Sequence, residues 1–564
     1  MNRLSLVSIS LFCILINAFG QMPHEVLVIA NQSSEDSLEV ANYFIDKRQI
    51  PKNNLIKVEI PESIYGGRAS CDPSVFEKLI WNPVQEEINK RNISHQIKAW
   101  IYSTDFPIRI LTDEYDRRQI SICGHTFLRN KGIGKSLIED GKYHSPIFAG
   151  PNNRFRLLFP SCSLSVLKSG LGSKVSEEKV LDRLRVGLGS SMPLPSMMLG
   201  YTGEGGNTID TVLSVLERGK LSDHNGLRSG FYFVTNNNIR STCRAWQFSS
   251  AQESLHKRNI TSVITNEFPK HSALVMGVLC GAKKISPKDI GSYAPGAVAE
   301  HLTSWSAEFQ RPQTKCTEWL EAGVTATSGS VVEPYANSDK FPSARFFEHY
   351  TAGCSVLESF YQSVACPLQQ LFIGDPLARP YSPEVKVRLL GANKLIDQPF
   401  RYEVSASSKI KGVKWLYTFL LNGKEVLKDS HQNFYKVDPS ILSDGYHTLQ
   451  SIAMVDHAVR FYGSDIKEFF VNRLGRSLQL SSEVIELSSQ VYGFKIKVNG
   501  LENPEFVRLI AGSEVLDEQI YSADLLLKFD ESRVGNGICN LQVIGIYDDG
   551  MEVTSQPLII KVFD

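Results

Sequence analysis

Three residues in the middle of the chain carry side chains that together could do nucleophilic chemistry. Cys280 ends the apolar stretch SALVMGVLC, His301 lies in APGAVAEHLTS, and Glu333 follows GVTATSGSVV. A cysteine nucleophile needs partial exposure and a base or a positive neighbour that lowers the pKa of the thiol. Histidine often acts as such a base, and a glutamate can act as a general acid. The three residues therefore form the candidate active site of a cysteine hydrolase.

Each of these residues also has an ordinary structural explanation. A lone cysteine in an apolar stretch often serves as a small buried hydrophobic residue. Glu333 stands before Pro334 and suits a turn as well as it suits acid catalysis. His125, in CGHT, is an alternative base, and Lys283 and Lys284 could lower the pKa of the thiol. The catalytic and the structural interpretation both stay open at this point.

The elements that must position these residues alternate between strand and helix. Short apolar stretches such as VLVIA, IKAWIYS, GFYFVT and LFIGDP predict strands, and APGAVAEHLTSWSAEF predicts a helix that carries His301. This alternation predicts an α/β domain whose mostly parallel sheet has helices on both faces. Cys280 and Glu333 then follow strands at the carboxyl edge of the sheet, where α/β proteins bind their ligands.

The last third of the chain has a different pattern, with short alternating strands and Asn-Gly or Asp-Gly turns. The segment KVDPSILSDGYHTLQSIAMVD, which starts at Lys436, aligns without a gap with KFDESRVGNGICNLQVIGIYD, which starts at Lys528. A tandem repeat of this size predicts two all-β immunoglobulin-like sandwich domains. We therefore predict an α/β domain at 21–383 and two immunoglobulin-like domains at 384–474 and 475–564.

Residues 1–20 have the pattern of a secretory signal peptide, with a basic Arg3, an apolar run over 4–16, and the small residues Ala18 and Gly20. The apolar run is too short to span a bilayer comfortably, and no later stretch is long enough. The sequence thus predicts an exported protein, secreted or periplasmic, with no membrane span in its mature chain. Nine cysteines follow the signal peptide, so at least one thiol has no partner within the chain.

Charge and spacing argue against several classes of function. Lysine plus arginine and aspartate plus glutamate both number 60, so no basic excess favours nucleic acid. The chain has no C-x-x-C and no paired histidine and cysteine spacing that would indicate a structural zinc site. The glycine-rich stretches KGIGKS and GYTGEGGNT lack the spacing of nucleotide-binding loops. We therefore expect no cofactor and no metal.

Several longer motifs give the α/β part a family resemblance. PGAVAEHLTS, GVTATSGSVVEPYA, KFPSARFFEHYTAGCSVLESFYQSV and LFIGDPLARPY resemble, in order and spacing, an uncharacterised family of exported bacterial proteins, defined by a numbered sequence model rather than by an activity. More remotely, the order of elements is similar to clostripain- and gingipain-type cysteine peptidases. That similarity implies a caspase-like sheet and places Cys280 at the nucleophile. Those peptidases carry their histidine in a Gly-His-Gly-like turn one strand earlier, where GFYFVTNNN and ITSVITNEF contain none.

These observations lead to one main hypothesis and two alternatives. The main hypothesis is an exported, non-catalytic binding or surface protein on a caspase-like fold, whose β modules bind a partner or act as spacers. The partner would be a protein or a glycan at the cell surface. The first alternative is a cysteine peptidase or other hydrolase that uses Cys280 with a histidine at the sheet edge. The second is a carbohydrate-binding adhesin, which exposed aromatic side chains on the β modules would favour.

Overall fold

The computed structural model describes residues 22–111, 119–148, 193–270, 274–391, 394–456 and 459–562. The predicted signal peptide and Cys162 lie outside these residues. Within them, the longest helices have 14 residues, and none has the length and apolar character that crossing a membrane would require.

The first part of the chain is an α/β region. Its elements are, in chain order, β1 (Val26–Asn31), α1 (Glu35–Arg48), β2 (Leu55–Val58), α2 (Glu62–Tyr65), β3 (Ser70–Cys71), α3 (Pro73–Phe76), α4 (Asn82–Lys90), β4 (Ala99–Tyr102), β5 (Arg109–Leu111), β6 (Gln119–Ser121), α5 (Ile122–Phe127), α6 (Lys135–Glu139), β7 (Ser196–Met198), α7 (Ile209–Ser222), β8 (Phe231–Val234), α8 (Ile239–Ala245), α9 (Phe248–His256), β9 (Ser262–Thr265), β10 (Leu274–Gly281), β11 (Ser292–Leu302), α10 (Cys316–Ala322), β12 (Ala326–Ser330), α11 (Arg345–Thr351), α12 (Val356–Ser363) and β13 (Gln370–Gly374).

Ten of these strands form one sheet in the order β2-β1-β4-β7-β13-β12-β11-β10-β8-β9. Neighbouring strands are parallel except β12 and β13, which are antiparallel. The sheet therefore consists of two parallel halves that run in opposite directions, and their carboxyl ends lie at opposite edges. The predicted mostly parallel α/β sheet is confirmed, and its caspase-like type stays a prediction.

We predicted a helix that carries His301, and this prediction is wrong. The segment is strand β11, which pairs with β10 on one side and with β12 on the other. Residues 297–302 are buried, so the segment lacks the polar and apolar alternation by which a half-buried strand is recognised. The pairing of β11 with β10 is interrupted, and within the interruption β11 has more residues than β10. These extra residues include Gly296, whose φ is 84°. Proline and glycine fit such an interruption of a strand.

The last part of the chain forms β-sandwich modules. The first contains β14 (Val385–Leu390), β15 (Leu395–Ile396), β16 (Phe400–Ser408), β17 (Trp415–Leu421), β18 (Lys424–Ser430), β19 (Phe434–Val437), β20 (Asp444–Val455) and β21 (Tyr462–Val471). The second contains β22 (Ser477–Ser488), β23 (Val491–Asn499), β24 (Phe506–Ala511), β25 (Glu514–Ile520), β26 (Leu526–Asp530), β27 (Gly537–Ile546), β28 (Glu552–Thr554) and β29 (Leu558–Val562).

The two modules repeat one structural plan. In the first, the Asp438 side chain accepts a hydrogen bond from the backbone N–H of Ser440, at 2.9 Å, and begins a short 3₁₀ helix. In the second, Asp530 accepts from Ser532 at 3.1 Å and begins the matching helix. Each module has its own apolar core. The predicted tandem β sandwiches are confirmed.

Both modules pack against the α/β region. The Asn42 side chain of α1 donates a hydrogen bond to the Val534 carbonyl of the second module, at 2.7 Å. The Gln96 side chain donates to the Gly423 carbonyl of the first module, at 3.2 Å. Within the pair, β20 and β28 are joined by parallel pairing. Both modules are therefore docked on the α/β region rather than joined to it by the chain alone.

Candidate functional site

Cys280 lies at the carboxyl end of β10, as predicted, but its side chain is fully buried. It belongs to an apolar cluster that includes Val278, Ala299 and Trp319. Burial raises the pKa of the Cys280 thiol, and the nearby Arg244 only partly opposes this effect. The thiol is therefore protonated at neutral pH, which does not favour its use as a nucleophile.

His301 is the direct neighbour of Cys280 on β11. Its Nε2 lies 2.7 Å from the Ala282 carbonyl oxygen, and its Nδ1 accepts from the indole N–H of Trp319 at 3.4 Å. These contacts fit the neutral tautomer with the proton on Nε2. Burial lowers the pKa of His301 to about 4, so the imidazole is uncharged at neutral pH. Both ring nitrogens of His301 thus hold structural contacts.

The opposite face of β11 carries a buried ion pair. Glu300 is paired with Arg244 of α8, and both side chains are about 1% exposed. Arg244 also donates to the Pro342 carbonyl at 3.0 Å and to the Cys280 carbonyl. Glu300 further accepts from the Ser328 hydroxyl at 3.4 Å. Arg244 therefore joins the carboxyl ends of β10 and β11, and Glu300 joins β11 to Ser328 of β12. The sequence contains no pattern that distinguishes this arginine from a surface one.

The other candidate residues also hold structural contacts. The Glu333 carboxylate accepts a hydrogen bond from the backbone N–H of Tyr335 at 3.0 Å. Tyr335 has a φ of 59°, and a hydrogen bond of this kind is typical of a turn residue. His125 lies on α5, which packs on β7 and β13 in the other half of the sheet. Its Nε2 lies 2.7 Å from the Asn130 side-chain oxygen. Lys283 and Lys284 are exposed.

All described cysteines have free thiols: Cys71, Cys123, Cys243, Cys280, Cys316, Cys354, Cys366 and Cys539. Cys243 is half-buried and the others in this set are buried. Because buried thiols have raised pKa values, the described cysteines behave as hydrophobic residues rather than as nucleophiles.

The structure contains a cleft that sequence analysis missed. It lies between the α/β region and the second β module and has a volume of about 630 Å³. Strand β2 and helix α4 line one side, and β25 and β27 line the other. Its charged residues are Lys52, Lys57, Lys90, Arg91, Arg533, Glu59, Glu87 and Glu514. Basic side chains therefore outnumber acidic ones in this cleft.

Two carboxylates in the cleft are each shared by two basic side chains. Glu514 accepts from Lys57 at 2.7 Å and from Arg533 at 2.8 Å. Glu87 accepts from Lys90 at 3.1 Å and from the Arg91 side chain at 3.0 Å. Each group thus keeps one positive charge in excess. Such an excess within a concave surface attracts anionic ligands.

Lys52 adds a further positive charge at a central position. It borders this cleft and also a second cavity of about 810 Å³, where the α/β region meets both β modules. Burial lowers the pKa of the Lys52 amine. A bound anion would offset the cost of keeping this amine charged.

Two end strands also line the cleft. Strand β2 is the end strand of the ten-stranded α/β sheet, and β25 is the end strand of the sheet that the two modules share. Leu55 and Lys57 line the cleft from β2, and Glu514 and Val515 line it from β25. The outward backbone groups of an end strand can pair with an extended peptide. Some of them are occupied here, because Arg91 donates to the Leu55 carbonyl and Arg533 donates to the Val515 and Leu516 carbonyls.

Comparison with known proteins finds only remote structural similarity. No protein-family profile and no curated protein matches the chain in sequence. A protease is similar over 81% of this chain and 99% of its own, at 9% identity and a TM-score of 0.39. The fibronectin(III)-like modules of Clostridium thermocellum CbhA are similar over 32% of this chain and 93% of theirs, at 14% identity and a TM-score of 0.14.

A third similar structure is Bacteroides ovatus SGBP-B, from a mixed-linkage glucan utilization locus, in complex with a mixed-linkage heptasaccharide. The similarity extends over 32% of this chain and 47% of the SGBP-B chain, at 15% identity and a TM-score of 0.19. TM-scores this low carry no argument about function, so the function must be argued from the residues of this chain.

Proposed function

We propose that this chain is an exported, non-catalytic binding protein whose cleft between the α/β region and the second β module binds an acidic, extended segment of a partner protein. The observation that carries this proposal is the excess of basic side chains in a cleft lined by two end strands. The basic groups supply attraction for carboxylates, and the backbone groups of β2 and β25 that Arg91 and Arg533 do not occupy supply pairing for an extended chain.

The buried state of the predicted catalytic residues supports the non-catalytic part of the proposal. Cys280 and His301 are about 0% and 1% exposed, so neither is within reach of a substrate in solution. Their pKa shifts favour the neutral thiol and the neutral imidazole. A peptidase mechanism would need the thiolate at an exposed position.

The composition of the modules does not favour the alternative of a carbohydrate-binding adhesin. Glycan sites commonly present exposed aromatic rings. Among the described residues of the two modules, Phe506, at 40% exposure, is the only exposed phenylalanine, tyrosine or tryptophan. A protein segment is therefore the better fit to these surfaces.

Fluorescence anisotropy with a labelled oligoglutamate peptide tests the proposal. We expect the wild-type protein to bind the peptide at low salt and to lose most of its affinity at high salt, because charge attraction is screened. Lys52→Met should weaken binding roughly fivefold, corresponding to the loss of one partly buried charge contact. Lys257→Met is the matched control, because Lys257 is exposed on α9's C-terminal side and pairs with Glu253.

Circular dichroism shows whether each variant is folded before its affinity is compared. Equal affinity in wild type, Lys52→Met and Lys257→Met would overturn the assignment of the cleft. The same holds if an oligolysine peptide binds as tightly as oligoglutamate.

A further inference from the structure

We propose a second site, for a divalent metal ion of the Zn²⁺ class, at the junction of the α/β region and the first β module. Its ligands would be His24 and Glu25, directly before β1, and Glu425 of β18. One ligand atom from each residue lies within 4.8 Å of the other two. An imidazole nitrogen with two carboxylate oxygens is a donor set that zinc accepts, with water in the fourth position.

The site is buried, and one of its polar atoms has no partner. His24 is 1% exposed, Glu25 is 0% exposed, and the Glu425 side chain is 3% exposed. The Nδ1 atom of His24 is buried without a hydrogen-bond partner. The Nε2 atom of the same ring lies 3.5 Å from a Glu425 carboxylate oxygen, so Nε2 is the imidazole nitrogen that would bind the metal.

The backbone around the ligands is held by a chain of side-chain hydrogen bonds. The Asn54 amide donates to the His24 carbonyl at 2.8 Å. Gln96 donates to the Asn54 side-chain oxygen at 3.2 Å and accepts from the Glu425 backbone N–H at 3.1 Å. Asn54 and Gln96 thus fix His24 and Glu425 relative to each other. Such support from surrounding hydrogen bonds is typical of metal sites.

The carboxylates have further polar contacts with which a metal must compete. Glu25 is paired with Lys98 through Oε1 and accepts from the Met22 backbone N–H through Oε2, at 3.1 Å. Glu425 lies 3.5 Å from the His24 Nε2 atom and 3.1 Å from the Lys428 amine.

Both lysines reach the site from its rim, with 13% and 29% of their side chains exposed. Their flexible stems let the ammonium groups turn to solvent when a metal binds.

Metal binding here would join two domains. His24 and Glu25 belong to the α/β region and Glu425 to the first module, so no one domain holds the full set. The ion would therefore stabilise the docked arrangement of the module. The spacing of the ligands along the chain does not reveal the site, because the third ligand comes from a different domain.

The test uses the mature chain, stripped of metal with a chelator and titrated with Zn²⁺ against a chromophoric competitor. We expect one tight site per chain and a higher melting temperature with zinc. His24→Gln and Glu425→Gln should each weaken binding at least about tenfold. His95→Gln is the control, because His95 is exposed in the same domain, and it should bind as wild type does.

A spectrum of the Co²⁺-substituted wild-type protein gives an answer that does not depend on how the variants fold. Visible bands without a thiolate charge-transfer band support nitrogen and oxygen ligands. A thiolate band would overturn the site, because the metal would then be bound to cysteine. Absence of tight binding, or equal binding in all variants, would also overturn it and leave the three residues as an ionic cluster.

Discussion

Cys280 and His301 are direct neighbours on adjacent parallel strands, yet the imidazole is bound to the Ala282 carbonyl, at 2.7 Å, and to the Trp319 indole. A working dyad transfers a proton from thiol to imidazole, and burial opposes both halves of that transfer. It raises the pKa of the thiol and lowers the pKa of His301 to about 4. Closeness of the two residue types in the sheet therefore does not make them a catalytic pair.

Alkylation of the native protein should leave Cys280 unmodified. We expect iodoacetamide to label Cys243 fastest among the described cysteines, because it is half-buried while the others in this set are buried. Peptide mass spectrometry after labelling between about pH 5 and pH 9 gives the rate at each cysteine. Rapid, selective labelling of Cys280 below pH 7 would contradict this account and revive the peptidase alternative.

Breaking the Arg244–Glu300 pair should be costly. Glu300→Gln leaves the buried Arg244 guanidinium without its counter-charge, for which we expect a loss of about 3–5 kcal/mol in the free energy of unfolding. The double variant Arg244→Met, Glu300→Gln removes both charges and should lose less than the single variant. Urea unfolding measures both, and a double variant less stable than Glu300→Gln would contradict this reasoning.

Acid should destabilise the protein through His301. Its pKa is about 4 in the folded state and about 6.5 in an unfolded chain, so the unfolded state binds the proton first as pH falls. Stability should therefore be full above about pH 6.5 and fall by up to about 3 kcal/mol between pH 6.5 and 4.

The comparison of pH slopes isolates this histidine. The free energy of unfolding of His301→Gln, measured with urea, should fall less steeply with falling pH than that of the wild type across this range. His95→Gln, at an exposed position, should keep the wild-type slope. Identical slopes in wild type and His301→Gln would show that this imidazole does not titrate as its burial requires.

The repeat predicts matched effects at two distant positions. Asp438→Ala and Asp530→Ala each remove the side-chain acceptor that begins a short 3₁₀ helix, and each should cost about 0.5–1 kcal/mol. Asp524→Ala, at an exposed turn position, should be close to neutral. Thermal unfolding of the three variants gives the comparison, and a large cost at only one of the two repeat positions would contradict their equivalence.

The parts of the fold that sequence predicted are those with a local signal. Strand β10 is a continuous apolar stretch, and the Asp438 and Asp530 repeats share turn residues at a fixed spacing. Strand β11 was predicted wrongly because burial on both faces removes the alternation of a strand, while its alanines suit a helix. Local propensity was there outweighed by packing between β10 and β12.

The candidate site could be predicted only in part. The sequence places Cys280 at a strand end, but its burial depends on Trp319 and on other side chains brought in by the fold. The cleft joins Lys57 of β2 to Glu514 of β25, and no local pattern connects residues so far apart in the chain. Tertiary docking of the modules creates both the cleft and the proposed metal site.

Hydrogen–deuterium exchange with and without oligoglutamate tests the central proposal most directly, because it locates the bound peptide. We expect slower exchange at β2 and β25, the end strands that line the cleft, and unchanged exchange at β9, the opposite end of the α/β sheet. Protection at β9 or elsewhere, with β2 and β25 unchanged, would contradict the proposal that this cleft is the binding site.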